Sequence, residues 1–301
     1  MLKIYQEPIT QKIEDPLLNE KGVSLFIKRE DLIHPYVSGN KWRKLRYNLI
    51  EAKERGYSRL LTFGGAFSNH IYATAAAAKE AGFECIGLIR GEELATKPLN
   101  KTLSFAKEKG MQLHFVEREV YREKDDPDYL FELIREFGEF YLLPEGGTNK
   151  LAVNGCAQIL DINTKYYDII CCSVGTGGTL MGLISSAEKQ QRVIGFSSLK
   201  GNFLENEIQL KMKAFGIKTK VSWQIEDHYH FGGYAKTSKE LIDFIINFER
   251  KTNILLDQVY TGKMMFGIYD LIRKGNFKQG TKILAIHTGG LQGRSSLLSP
   301  H

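Results

Sequence analysis

The sequence predicts an α/β protein in two lobes, each a mostly parallel sheet flanked by helices, and three observations carry that expectation. Short β-branched, apolar runs alternate with amphipathic stretches of helical period through most of the chain, which is the pattern of βα units. Glycine-rich loops follow several of the runs, as they do where parallel strands turn into helices. At 301 residues the chain is long enough to divide into two cores.

The elements follow in order. An apolar strand leads through Lys28, Arg29, Glu30 and Asp31 to a loop at Ser38 and Gly39, then to a basic helix carrying Lys41, Trp42, Arg43 and Lys44. Residues 60–63 read as strand and 71–81 as an alanine-rich helix closed by Gly82. Strands at 84–89, 111–116 and 140–143 alternate with helices at 99–109 and 128–137, which Gly110 and Gly138 end where a left-handed residue is expected. A second series begins with strand 168–174 and helix 179–188. It continues through strand 192–197, helix 203–214, strand 220–225, helices 238–250 and 262–273, and strand 282–287. This grouping places a smaller domain at 49–154 and a larger one at 1–48 with 155–301.

Composition excludes several classes. A hydrophobic content of 43% and a charged content of 25% describe an ordinary globular chain. The formal charge of +6 is modest, and no basic run with interleaved aromatics forms a nucleic-acid groove. No stretch approaches a membrane span, and residues 1–10 lack an apolar core behind a basic start, so a cytoplasmic protein is expected. Cys85, Cys156, Cys171 and Cys172 lack metal-ligand spacing and read as reduced core residues. The seven histidines offer no zinc signature.

Two features point to chemistry. Lys41 falls in the first turn of a helix, where the dipole disfavours an ammonium and eases its conversion to the neutral amine that attacks an aldehyde. Gly39 allows close backbone approach there, and Ser38 or Asn40 can cap the helix. The loop Gly175, Thr176, Gly177, Gly178 and Thr179 combines backbone and hydroxyl donors at a helix start, and is either a cradle for phosphate or a tight turn without ligand. It is no dinucleotide fingerprint, because the third glycine position holds Leu180 and no acid ends the next strand. Nor is it a P-loop, since no lysine follows the glycines. At Gly64, Gly65, Ser68, Asn69 and His70, a second loop either holds a carboxylate at a helix start or simply caps that helix. The loops at 145–149 and 287–290 are weaker signals of the same kind.

These segments, with Gly233-Tyr234 and Val259-Tyr260-Thr261-Gly262-Lys263, occur in an order that resembles the fold-type II pyridoxal-phosphate enzymes. The chain is similar in particular to the 1-aminocyclopropane-1-carboxylate (ACC) deaminase and D-cysteine desulfhydrase family. The resemblance implies a tryptophan synthase β-like fold and a homodimer. It also implies pyridoxal 5'-phosphate held by Lys41, with Thr176 to Thr179 and Lys44 on its phosphate and the larger domain as its seat. Ser68, Asn69 and His70 would receive the substrate carboxylate in the smaller domain, Asn69 could reach the cofactor's phenolic oxygen, and Tyr234 and Tyr260 would stand beside the substrate.

The resemblance also places Thr261 at the pyridine nitrogen, where the ACC deaminases carry a glutamate. A hydroxyl holds the ring's positive charge less firmly than a carboxylate. That favours β-elimination over opening a cyclopropane ring. His70 agrees, because desulfhydrase-like members carry histidine where the deaminases usually have glutamine. The expected reaction is therefore α,β-elimination from a small amino acid, D-cysteine first, giving pyruvate, sulfide and ammonia. ACC deamination to 2-oxobutanoate and a non-catalytic cofactor carrier are the alternatives. Ser38 and Trp42 stand where the family usually has a second glycine and a threonine, and Trp42 either packs its helix or lines the pocket.

Overall fold

The computed structural model describes residues 2–298. Its first half runs β1 (Thr10–Ile13), α1 (Pro16–Glu20), β2 (Ser24–Lys28), α2 (Asn40–Glu54), β3 (Arg59–Gly64), α3 (Asn69–Ala81), β4 (Glu84–Arg90), α4 (Lys101–Glu108), β5 (Met111–Val116), α5 (Pro127–Phe137) and β6 (Tyr141–Leu143). Then follow α6 (Lys150–Ala157), β7 (Ile169–Val174), α7 (Gly178–Ser186), β8 (Arg192–Ser197), α8 (Leu204–Phe215), β9 (Ser222–Glu226), α9 (Lys239–Thr252), α10 (Thr261–Arg273) and β10 (Lys282–Ile286).

Two sheets result. The larger has the order β1-β2-β10-β7-β8-β9, parallel except for the edge strand β1, which pairs antiparallel with β2. The smaller has the order β5-β4-β3-β6 and is wholly parallel. Parallel strands covered on both faces read as continuous apolar runs, and every residue of β7 is buried. The pleat then sorts that run between two cores. Cys171 joins Ile283 and Ala285 against α9 and α10, while Ile170, Cys172, Leu284 and Ile286 face α7 and α8. The small sheet is covered likewise, with Leu60 and Cys85 toward α2 and α3, and Leu61, Phe63 and Ile86 toward Leu133 of α5. All four cysteines are free and buried. Among the described residues no helix is long and apolar enough to cross a membrane.

The expected elements are present within a few residues of their expected bounds, and β1, α1 and α6 are additions. Asn149 caps α6 by accepting from Ala152 N at 2.9 Å. Within α6, Gly155 lowers helical propensity and yet serves packing: a Cβ there would strike the carbonyl oxygen of Arg43 in α2. At Gly182 of α7, a Cβ would lie 2.5 Å from Cys156 Cβ. Glycines therefore let α2, α6 and α7 close together beneath the loops that follow β7 and β10.

Candidate active site

A cavity of about 620 Å³, its open mouth included, lies where the two sheets' loops meet. The strand ends of the large sheet contribute Ser173 to Leu180, Thr288 and Gly289, and the loops beside them Tyr234 and Tyr260. Ser68, Asn69, His70 and Gly146 come from the small-sheet side, and α2 adds Asn40, Lys41 and Lys44. Tertiary structure thus brings Lys41, Lys44, Ser68, Asn69, His70, the 175–179 loop, Tyr234 and Tyr260 to one cavity, and leaves Thr261 out of it.

Lys41 reaches the cavity from the first turn of α2. Gly39, with φ +61°, occupies the N-cap position without any side-chain cap, contrary to the expectation for Ser38 or Asn40. The Ser38 hydroxyl instead donates to Asp31 O at 3.0 Å. Asn40 Nδ2 donates to Thr179 Oγ1 at 2.8 Å, tying the lysine's helix to the glycine loop. A Cβ on Gly39 would fall on the Thr288 carbonyl oxygen, which accepts from Asn40 N at 3.2 Å. Burial, reinforced by the neighbouring Lys44 ammonium, lowers the Lys41 pKa to about 7. Trp42 turns away: it is fully buried, and its indole N–H donates to Lys3 O at 2.9 Å.

Lys44, one turn on, is buried and directs Nζ to Gly146 O at 2.9 Å, Thr148 Oγ1 at 3.0 Å and Thr176 Oγ1 at 3.4 Å. Burial brings its pKa down to about 8. These groups adjoin the start of α7, whose first N–H groups have no intrahelical acceptor. Gly177 has φ +84°, and a Cβ on Gly178 would meet Thr148 Oγ1 at 2.8 Å and Lys44 Nζ at 3.0 Å. An amine able to lose its proton, beside ammonium, hydroxyl and amide donors grouped round side-chain-free backbone, fits a phosphorylated aldehyde such as pyridoxal phosphate.

Across the cavity Ser68 caps α3, its oxygen accepting from His70 N at 3.2 Å and Ile71 N at 3.3 Å. Capping and carboxylate binding are compatible, because the Ser68 hydroxyl proton remains to donate. Asn69 Oδ1 accepts from Gln292 Nε2 at 2.6 Å, which leaves its amide N–H groups as donors. His70 behaves otherwise than expected. Thr62 donates to Leu143 O at 2.8 Å and so accepts from His70 Nε2 at 2.7 Å, while Thr74 Oγ1 lies 3.3 Å from Nδ1. Both ring nitrogens are engaged, and burial holds the imidazole neutral with its pKa well below the usual value. His70 is a wall of the cavity; no ring N–H is free for a carboxylate.

Tyr234 and Tyr260 meet edge to face, with centroids 6.1 Å apart. Burial and then the Tyr234 phenol push the Tyr260 pKa well up. Thr261 is the correction. As the first residue of α10 it turns inward, donating to Asp257 Oδ1 at 2.6 Å and accepting from Asp257 N at 2.9 Å. At the end of β10 the Thr288 hydroxyl lines the cavity instead, 3.1 Å from Ser173 Oγ. In the sequence Thr288 belongs only to a weak glycine loop, and Asn40 reads as a helix cap. The available signal was their place at strand ends or beside Lys41.

Comparison with known proteins agrees with this geometry. A Pyrococcus horikoshii protein bearing a provisional ACC deaminase name is 34% identical over 293 residues, covering 91% of this chain and 86% of that one. The D-cysteine desulfhydrase of Klebsiella pneumoniae is 30% identical over 308 residues, covering 96% and 93%. A crystal structure of an ACC deaminase homologue superposes with a TM-score of 0.82 at 32% identity, covering 97% of this chain and 92% of that one. A family profile described as pyridoxal-phosphate dependent enzyme matches residues 6–289. The chain that brings this lysine, this glycine-threonine loop and this serine-capped helix start together from both sheets belongs to the pyridoxal-phosphate dependent enzymes.

Proposed function

We propose that this enzyme is a lyase that eliminates across the Cα–Cβ bond of a small amino acid, with D-cysteine as leading substrate: sulfide leaves, and water hydrolyses the resulting aminoacrylate to pyruvate and ammonia. One observation carries the choice: among the described residues lining the cavity there is no carboxylate. The bound cofactor supplies an electron sink for the substrate's α-carbon, and a neutral hydroxyl such as Thr288 leaves that sink milder than an acid would. A mild sink suffices where a thiolate leaves and drains the electron pair. Lys41 holds the cofactor and then, as a neutral amine near pH 7, takes the α-proton. Thr176, Gly177, Gly178, Thr179 and Lys44 grip the phosphate. Ser68 and Asn69 donate to the substrate carboxylate, and Tyr260, kept protonated by burial, donates toward the leaving group with Tyr234 closing the pocket.

ACC deamination is the second reading, favoured by the names of the Pyrococcus horikoshii relative and of the superposed structure. Both relatives' activities are tested in one experiment: sulfide and pyruvate are measured with D-cysteine, 2-oxobutanoate with ACC, and Lys41→Ala serves as control. Sulfide with little 2-oxobutanoate supports elimination; the reverse ratio replaces it by ring opening. We further propose that 1–48 with 155–301 and 49–154 act as two domains, and that the enzyme works as a cytoplasmic homodimer.

A further inference from the structure

Tyr234 stands in a backbone that resists its own conformation. Phe231, Gly232, Gly233 and Ala235 all have positive φ, at 52°, 92°, 118° and 57°. Phe231 and Ala235 are two of the three non-glycine residues in that region among those described. Such backbone persists only where its surroundings over-determine it.

The determinant comes from α10. Lys263 is buried, yet its ammonium is bonded to no carboxylate; Nζ donates to His230 O at 2.8 Å and to Gly233 O at 2.8 Å. Each of these carbonyls also closes a turn, His230 O accepting from Gly233 N and Gly233 O from Lys236 N, both at 3.1 Å. The lysine therefore sits on two consecutive turns, 230–233 and 233–236, the second of which carries Tyr234. Phe231 packs edge to face on Phe266 of the same helix, and Tyr229 donates to Asp270 of that helix at 2.8 Å. Tyr260 is the N-cap residue of α10.

We infer that Lys263 is a positioning residue, which sets the Tyr234 ring against Tyr260 by gripping both turn carbonyls, so that one helix places both cavity tyrosines. The inference rests on the proposed function only in taking the two tyrosines to face the substrate. A charged donor serves here because two carbonyl oxygens already engaged by N–H groups accept a further bond best from an ammonium.

The test compares wild type, Lys263→Met, Lys263→Gln, Tyr234→Phe and the Lys263→Met/Tyr234→Phe double variant, all carrying cofactor. In Lys263→Met, amide exchange over 231–236 should accelerate by about tenfold or more while the β7–α7 loop is unchanged. Turnover should fall about tenfold, mostly in kcat, with the cofactor's absorbance intact. The double variant should lose no more than about twofold beyond Tyr234→Phe, because the placement acts on turnover through the hydroxyl that Tyr234→Phe already removes. Unchanged exchange over 231–236, or losses that multiply in the double variant, overturns the inference. If Lys263→Met does not fold, Lys263→Gln, shorter but able to donate twice, is read by the same exchange criterion. The exchange arm needs no substrate, so it decides on Lys263 even if wild type turns over neither amino acid, an outcome that would sink the proposed function alone.

Discussion

Lys41 is a lysine whose surroundings favour the neutral amine, and the consequence is measurable as a pH dependence. Its pKa falls from 10.5 to about 7 in the folded protein. Below about pH 7 both folded and unfolded states hold the proton, and the folded state bears the full penalty of burying charge. Between about 7 and 10.5 the unfolded state binds more protons, so stability of the cofactor-free protein rises with pH across that window. Replacing Lys41 by Met should remove part of this rise, seen as a Tm difference from wild type that changes with pH; a constant difference would contradict it. Lys44 and Lys263, each lowered to about 8 by burial, contribute in the same direction and leave a further part. In holoenzyme, Lys41→Ala should cost about a thousandfold or more in kcat/KM and abolish the protein-linked absorbance of the cofactor. At this scale the sequence was informative about Lys41, because residue type, glycine and helix start coincide. It misdirected at Thr261, which the resemblance placed at the pyridine nitrogen and which instead turns away from the cavity at the start of α10. Asp257 captured the threonine hydroxyl.

The elements that matter are helix starts, and their glycines make contrasting predictions. Gly39→Ala combines positive φ with a collision against Thr288 backbone and should destabilise by about 2–4 kcal/mol in chemical denaturation. Gly56 also has positive φ, 77°, but nothing lies within 4 Å of an added Cβ, so Gly56→Ala should cost only about 1 kcal/mol. Equal losses would remove the argument that β10's loop presses on α2. Gly178→Ala displaces Lys44 Nζ and Thr148 Oγ1, which can move. It should leave Tm nearly unchanged and weaken cofactor binding about tenfold or more, measured by titration of the cofactor-free protein. Strands and helices were legible because burial on both sheet faces imposes long apolar runs. Of the elements the sequence did not show, β1, α1 and α6, the last contains Gly155, which serves close approach to α2 against helical propensity.

For the whole molecule, the cavity's residues come from both sheets, so a ligand there links them. Cofactor at about 100 times its Kd should add about 2.7 kcal/mol to unfolding. The transition should rise as one, whether followed by a probe in the large sheet or in the small one. Two separate transitions, of which only one responds, would show that the sheets unfold independently of the cofactor site. Light scattering checks the proposed homodimer against the 34.2 kDa chain.

Periodicity and glycine placement were enough to determine the α/β class, because they record local backbone geometry and burial, and the ordered motifs, through the family they resemble, were enough for the cofactor. Which hydroxyl enters the cavity, that both nitrogens of His70 are taken by Thr62 and Thr74, and that Lys263 grips the Tyr234 loop were decided only by tertiary structure. Those outcomes depend on partners distant in sequence, and on competition for buried hydrogen bonds that no local pattern records.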